Sequence, residues 1–339
     1  MTHGTPAPQN ADEHPEGVDT SARAFLGSLV ADAVSMPVHW YYDRRALARD
    51  YGTIDGYLAP RNPHPDSILW RSSYVASGPE SDILREQAEY WGRRGVHYHQ
   101  FLEAGENTLN QQLALELHDL LRLDRDYHVE RWLERYMRFM LKPGRHRDTY
   151  VEEYHRDFFT NLGAGRKPIN CGVADVHIGG LVPVPAIVAA LGPRRHDLRE
   201  IVRTHVGLTH KDPEVLEAAD TLTQLLVRVT RGEDLRTAIV ERASRWISAA
   251  KIREWDSHPD DVVVGRILSP ACYIHEAFPA ALFLAWRYAG DFAAGVCANA
   301  RVGGDNCHRG TVVGSLLGAA APIPERFVVG LRSAARVSG

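Results

Sequence analysis

Apolar residues recur at three- and four-residue spacing in one segment after another, while the strict alternation of a half-buried strand is hard to find anywhere. The pattern predicts helices over 21–36, 107–123, 128–142, 213–231, 234–250, 272–289 and 309–320, and therefore an all-α fold, a compact multi-helix domain. The helix from 213 shows its start openly. Asp212 stands as N-cap, Pro213 takes a first-turn position where its missing N–H costs nothing, and Glu214 suits the positive end of the helix dipole. Two stretches break the pattern. Residues 52–82 cluster Gly, Pro, Asn, Asp and Ser between scattered aromatics and read as a long ordered loop, and 163–180 is a second irregular segment ahead of the apolar run LVPVPAIVAAL. No repeat and no linker divides the chain, so one domain is expected over 21–339, behind a polar, Pro-rich, acidic stretch at 1–20 that reads as a disordered tail.

Charge removes one class of partner. With 39 Lys and Arg against 43 Asp and Glu the formal charge is -4, which offers none of the basic footprint that nucleic acid requires. No apolar run approaches the roughly 18 residues of a membrane span, and the first twenty residues have neither the basic start nor the apolar core of a signal peptide. The four cysteines, at 171, 272, 297 and 307, form no CxxC pair. A soluble protein of the reducing cytoplasm is expected; the sequence leaves its oligomeric state open.

Chemistry is concentrated where loops meet helices. Asp32 lies inside an apolar helical run, where a carboxylate must be paired or hydrogen-bonded; its bland reading is a tie between a helix end and a loop. His39, Trp40, Tyr41 and Tyr42 follow at once, an imidazole and aromatics that suit stacking on a base or ribose and equally suit a core. Glu106, Asn107 and Thr108 crowd oxygen atoms at a helix start, as an N-cap or as donors to a hard cation. His97 and His99, two apart, are a weak zinc signal. His210 precedes one helix and His275 with Glu276 opens another, each better read singly as a capping or packing residue. Near the end, Gly303-Gly304-Asp305-Asn306-Cys307-His308-Arg309 puts a carboxylate, amide, thiol, imidazole and guanidinium at the mouth of a helix, whose free N–H groups also suit an anion.

Three stretches taken together, LGSLVADAVSMP, LTHKDPEVLEAA and the last sixty or so residues from FPAALFLAWRYAGDF through VGGDNCHRGTVVGSLLGAAAPIPERF, resemble the ADP-ribosylglycohydrolase superfamily in order and spacing. The resemblance implies an all-α domain with a cleft made by helix ends and loops. In competent members it also implies two magnesium ions that polarise an ADP-ribosyl ribose while a glycosidic bond is hydrolysed. Their ligands come from a Thr-Asp-Asp element early, a Gly-Gly-Asp-x-Asp-Thr/Ser element late, and an acidic residue after the first helix. This sequence departs at most of those positions. Asp305 matches, but Cys307 stands for the second aspartate and His308 for the Thr or Ser; Gly105-Glu106-Asn107-Thr108 keeps one carboxylate, and Pro37-Val38-His39 replaces Pro-x-Glu.

Losing that many carboxylates undercompensates two dications, so no binuclear magnesium centre is expected and no cofactor is required, with a single magnesium the residual option. A zinc site built on Cys307, His308 and another histidine is a further one. The Pro-x-His-Trp feature is similar to the crystallin J1-like branch, which keeps the fold without the full ligand set. The expected ligand is an ADP-ribosyl or nucleotide-like small molecule with an N-glycosidic bond, cleaved by a hydrolase or related lyase. The expected catalytic groups are Glu106 and Asp305 as the anionic centre and His308 or His39 as proton carrier. Asp32, Trp40, Asn107, Thr108, Asn306, Cys307 and Arg309 are expected around the ligand, with Arg166 or Lys167 available for a phosphate. The competing expectation is a non-catalytic member that binds a nucleotide or serves a structural role.

Overall fold

The structure, a computed structural model, describes residues 19–337. Residues 1–18, nearly all of the expected tail, lie outside the described residues. Helices carry the architecture, and extended pairing among the described residues is confined to isolated bridges such as His177 with Tyr273. The helices that place the site are α1 (Thr20–Ser35), α2 (Leu109–Asp124), α3 (Glu153–Gly163), α4 (Val184–Leu191), α5 (Pro213–Thr230), α6 (Ile274–Arg287), α7 (Phe292–Arg301) and α8 (Asn306–Ala320).

Helices α1 and α8 form the centre of the molecule. Both are buried nearly all round, as expected of helices whose apolar and small residues are not confined to one stripe. Small residues let the two backbones touch. A Cβ built on Gly27 would collide with the carbonyl of Gly314, and one on Gly314 with the carbonyl of Gly27. Arg23 secures the crossing by donating from Nε to Gly318 O (2.6 Å) and from a terminal nitrogen to Ala319 O (3.0 Å), a cation on the negative end of α8. Gly314→Ala should therefore destabilise the fold by about 1–3 kcal/mol or more, read as a lower urea midpoint with unchanged slope.

The expected helices are largely present, with two differences that have physical causes. The segment expected at 234–250 is two helices, Leu235–Arg242 and Ala249–Asp256. Between them the N–H groups of Trp246 and Ile247 both turn back to the carbonyl of Ala243, which buries Ile247 and sets Trp246 edge-on against Phe278, and the Ser248 hydroxyl then caps the second helix. Helix α8 begins at Asn306, three residues before the apolar pattern does, so that Cys307 and His308 belong to its first turn. The N-cap of α5 is as expected, Asp212 accepting from the N–H of Glu214 at 2.9 Å.

Candidate active-site cleft

Two glycines create the turn into α8. Gly303 and Gly304 both have left-handed φ, +69° and +66°, and a Cβ on either would strike a carbonyl oxygen, that of Tyr41 or of Pro270. Backbone bonds then lock this turn to the chain after α1: Trp40 N–H donates to Gly304 O (2.8 Å) and Gly304 N–H to Tyr41 O (2.7 Å). Trp40 itself is held at φ +60°, a conformation costly for a bulky residue and concentrated at functional sites. Its indole stacks on the His39 ring, with centroids 3.8 Å apart.

These constraints bring Asp305 and three imidazoles together without solvent. Asp305 Oδ1 lies 2.6 Å from His308 Nδ1 and 2.9 Å from His39 Nε2, while Oδ2 is buried with no hydrogen-bond partner. Behind them, His39 Nδ1 meets His99 Nε2 at 2.8 Å and His99 Nδ1 meets Asp148 Oδ1 at 2.6 Å. At the other end of His308, Nε2 is 2.9 Å from Glu152 Oε1. Glu152 is set by Asn110, whose Oδ1 accepts from Tyr154 and His155 and whose amide therefore donates to Glu152 at 2.7 Å.

Burial opposes charge on Asp305, but the neighbouring His308 and His39 outweigh it and hold the carboxyl well below the usual range. His308 is likewise opposed by burial, yet Asp305 and Glu152 raise it well above an ordinary histidine. Burial dominates at His39 and lowers it to about 3. With Asp305 ionised and His39 neutral, His39 donates from Nε2 and accepts from His99 at Nδ1.

Above this floor opens a cleft of about 370 Å³. Its walls include Trp40, Tyr42, Tyr98, Tyr150, Tyr154 and Tyr273, with Glu152, Asp305, Cys272, His177 and the guanidinium-bearing Arg71 among them. The size and lining are those of a small-molecule site, apolar faces with a few convergent polar groups. Against the cost of burial, hydrogen bonds to Asp175 and Cys272 push His177 up to about 11.

The profile of the ADP-ribosylglycohydrolase family matches residues 15–338. The chain belongs to this family. No curated protein matches it. Among solved structures, it superposes on an "ADP-ribosylglycohydrolase-related protein complex" over 94% of each chain, with a TM-score of 0.61 and 21% identity, a likeness of fold.

At the cleft floor of this ADP-ribosylglycohydrolase relative the clustered donors are mainly imidazole nitrogens. Among the described residues, the sets of three or more metal-donor side chains are His39, His99 and Cys307, and His39, Asp305 and His308, with one carboxylate between them. Magnesium demands oxygen donors in octahedral array. Asp32 adds no second carboxylate to these sets: it is fully buried and accepts from Asn107 Nδ2, Thr108 N and Thr108 Oγ1 at 2.7–2.9 Å. Burial pushes Asp32 up, against the pull of those bonds.

Several expected site residues have other positions in this family member. Glu106 does not join Asp305; it pairs with Arg147 and lines a separate surface cleft of about 310 Å³ with Arg145, Arg332 and Arg336. Asn107 and Thr108 face Asp32 rather than the ligand cleft, and the Thr108 hydroxyl donates to Asp32 instead of capping α2, whose Leu109 N–H is taken by Asp148. Asn306 braces Val38 O and Ala300 O with its amide. Arg309, fully buried, grips Asn299 and the Gly303 carbonyl, and burial lowers it to about 10. Cys307 points into an apolar pocket with Met36 and Leu102, its thiol toward Asp32 O at 3.7 Å. Arg166 and Lys167 are exposed and do not line the cleft. His39, Trp40, Asp305 and His308 do come together. Glu152, Asp148 and Tyr150, which also build the site, lie in the irregular segment before α3, where only the density of polar and aromatic residues between two helices signals them.

Proposed function

We propose that the chain hydrolyses a glycosidic bond of an ADP-ribosyl or other nucleotide-like small molecule in this cleft, without the family's binuclear magnesium centre. The observation that carries the reading is the convergence of two carboxylates from distant segments, Asp305 and Glu152, at opposite ends of one imidazole beneath an aromatic-walled cleft.

In this reading the aromatic walls hold base and ribose by stacking, and Arg71 supplies the cation for a phosphate at the cleft mouth. Asp305 presents fixed negative charge toward the positive centre that develops at the anomeric carbon. Glu152, on the wall, takes the proton of the attacking water, and His308, held protonated between Asp305 and Glu152, returns a proton to the departing oxygen or nitrogen as the glycosidic bond breaks. A reducing, cytoplasmic setting accords with four cysteines that are all free.

Chromatography of N- and O-linked ADP-ribosyl small molecules incubated with the chain tests the proposal. Release of ADP-ribose at a rate unchanged by millimolar magnesium is expected. Tight binding of ADP-ribose by calorimetry with no turnover of any of these compounds would instead establish a binding module.

A further inference from the structure

The magnesium ligand set has not simply been lost; its replacements are clustered, and they are the donors of another class of ion. We infer that His39, Asp305 and His308 hold one borderline divalent metal ion of the zinc class, with an open coordination position toward the cleft. The donor atoms of the three residues all lie within 4.8 Å of one another, and bonds of about 2.0–2.2 Å to a common ion require only small shifts from that spacing. Two imidazoles and a carboxylate suit zinc, cobalt, manganese or iron and are poor ligands for magnesium.

Three further features of the geometry belong to a metal site. Asp305 Oδ2 is an acceptor sealed from solvent with nothing to accept from, in a side chain that is fully buried, and a cation is one partner that answers such an orphan. Each histidine has an acceptor behind it for the outer ring proton once its inner nitrogen turns to the ion: Glu152 at 2.9 Å from His308 Nε2, and His99 Nε2 at 2.8 Å from His39 Nδ1, which then donates, with His99 itself held by Asp148. Such outer bonds fix ring orientation and raise ligand basicity around bound metals. Asp305, alone of the three donors, also belongs to the cleft lining, so an ion held by it would lie beneath the place where substrate or water would stand. Three protein ligands and one open position distinguish catalytic from structural zinc sites. The neighbouring set of His39, His99 and Cys307 lacks this opening, because Cys307 is enclosed with Met36 and Leu102.

This inference stands on the donors and not on the reaction. A chain that binds the ion but hydrolyses no glycosidic bond leaves it intact and sinks the functional reading; hydrolysis by a chain with no transition metal bound does the reverse. The test is titration of the full chain, stripped with chelator and dialysed, with Co²⁺ and Zn²⁺, followed by visible absorption and calorimetry.

One Co²⁺ per chain is expected, with d–d bands and no sulfur-to-metal charge-transfer band, displaced by Zn²⁺ and unaffected by millimolar Mg²⁺. His308→Ala should weaken binding at least about hundredfold and Glu152→Gln about ten- to hundredfold, while Cys307→Ser should bind as the parent does. Failure of the parent chain to bind Co²⁺ or Zn²⁺ overturns the inference. So does a charge-transfer band abolished by Cys307→Ser, or undiminished binding by Glu152→Gln, a surface-reaching variant whose fold is checked by circular dichroism should His308→Ala not fold.

Discussion

Acidification to about pH 4 should unfold this protein cooperatively. The cause is a set of histidines buried as neutral rings away from the cleft floor. Burial lowers His205 to about 3 and His210 to about 4, and it holds His97, His146 and His155 below the ordinary value of 6.5. Each has a ring nitrogen bonded inside the fold: His97 to Pro37 O, His146 to Ile83 O, His155 between Tyr136 and Asn110, His205 to Tyr127 and His210 to Thr209.

In the unfolded chain each titrates near 6.5. Between that value and the lowered folded value, the unfolded state therefore binds more protons, and stability falls as pH falls. Each such proton contributes roughly 1.4 kcal/mol per pH unit. Three acting together would remove the ~5–15 kcal/mol of a typical domain within about two to three units below pH 6.5.

His177, raised to about 11 by Asp175 and Cys272 once the burial penalty is overcome, works on the alkaline side. Its contribution is fully present below 6.5 and is lost as pH rises toward 11, so it cannot rescue the acid limb. Far-UV circular dichroism and tryptophan fluorescence from pH 8 to 4 will read the transition. A melting temperature at pH 4.5 within a few degrees of that at pH 7 would show that these rings are not held neutral.

The helices could be read from the sequence because their signals are local. The apolar period of α1, the Asp212-Pro213-Glu214 start of α5 and the small residues of α8 each act within a turn or two of their own position. Gly303-Gly304-Asp305 was legible for the same reason, since a paired left-handed turn ahead of a helix needs glycines whatever lies around it. The rest of the site was not, because its members are chosen by approach and not by neighbours in sequence. Glu106 sits beside Asn107, yet Asn107 turns to Asp32 on α1 while Glu106 turns outward to Arg147. Glu152 reaches His308 across 156 positions only because the N-cap of α3 abuts the first turn of α8. Arg309 is expected around the ligand from its place in a row of reactive residues; helical phase carries it to the far side of the turn, where it props up Asn299 and Gly303.

Asp305→Asn should abolish turnover, by roughly a thousandfold or more, whereas Glu106→Gln should leave kcat/KM within about twofold of the parent. Asp305 is the group on which the floor of the cleft converges, and its charge is what two imidazoles are arranged around. An amide offers one oxygen and no charge. Placed at the Oδ1 position, that oxygen can still accept from both histidines, but the negative potential under the anomeric carbon would be gone. Glu152→Gln should follow Asp305→Asn in kcat more than in KM, because it removes the proton acceptor while the stacking walls stay in place.

Loss of the buried Asp305 charge will also weaken the fold, since removing one partner of a buried pair costs about 3–5 kcal/mol. Each variant therefore needs a melting curve at pH 7 beside its kinetics. A folded Asp305→Asn with parental turnover would remove the anionic centre from the mechanism, and a folded Glu106→Gln with none would return catalysis to the other cleft. If Asp305→Asn is folded and inactive, and Glu106→Gln is folded and active, the chemistry belongs to the carboxylate that the glycine pair delivers to the mouth of α8.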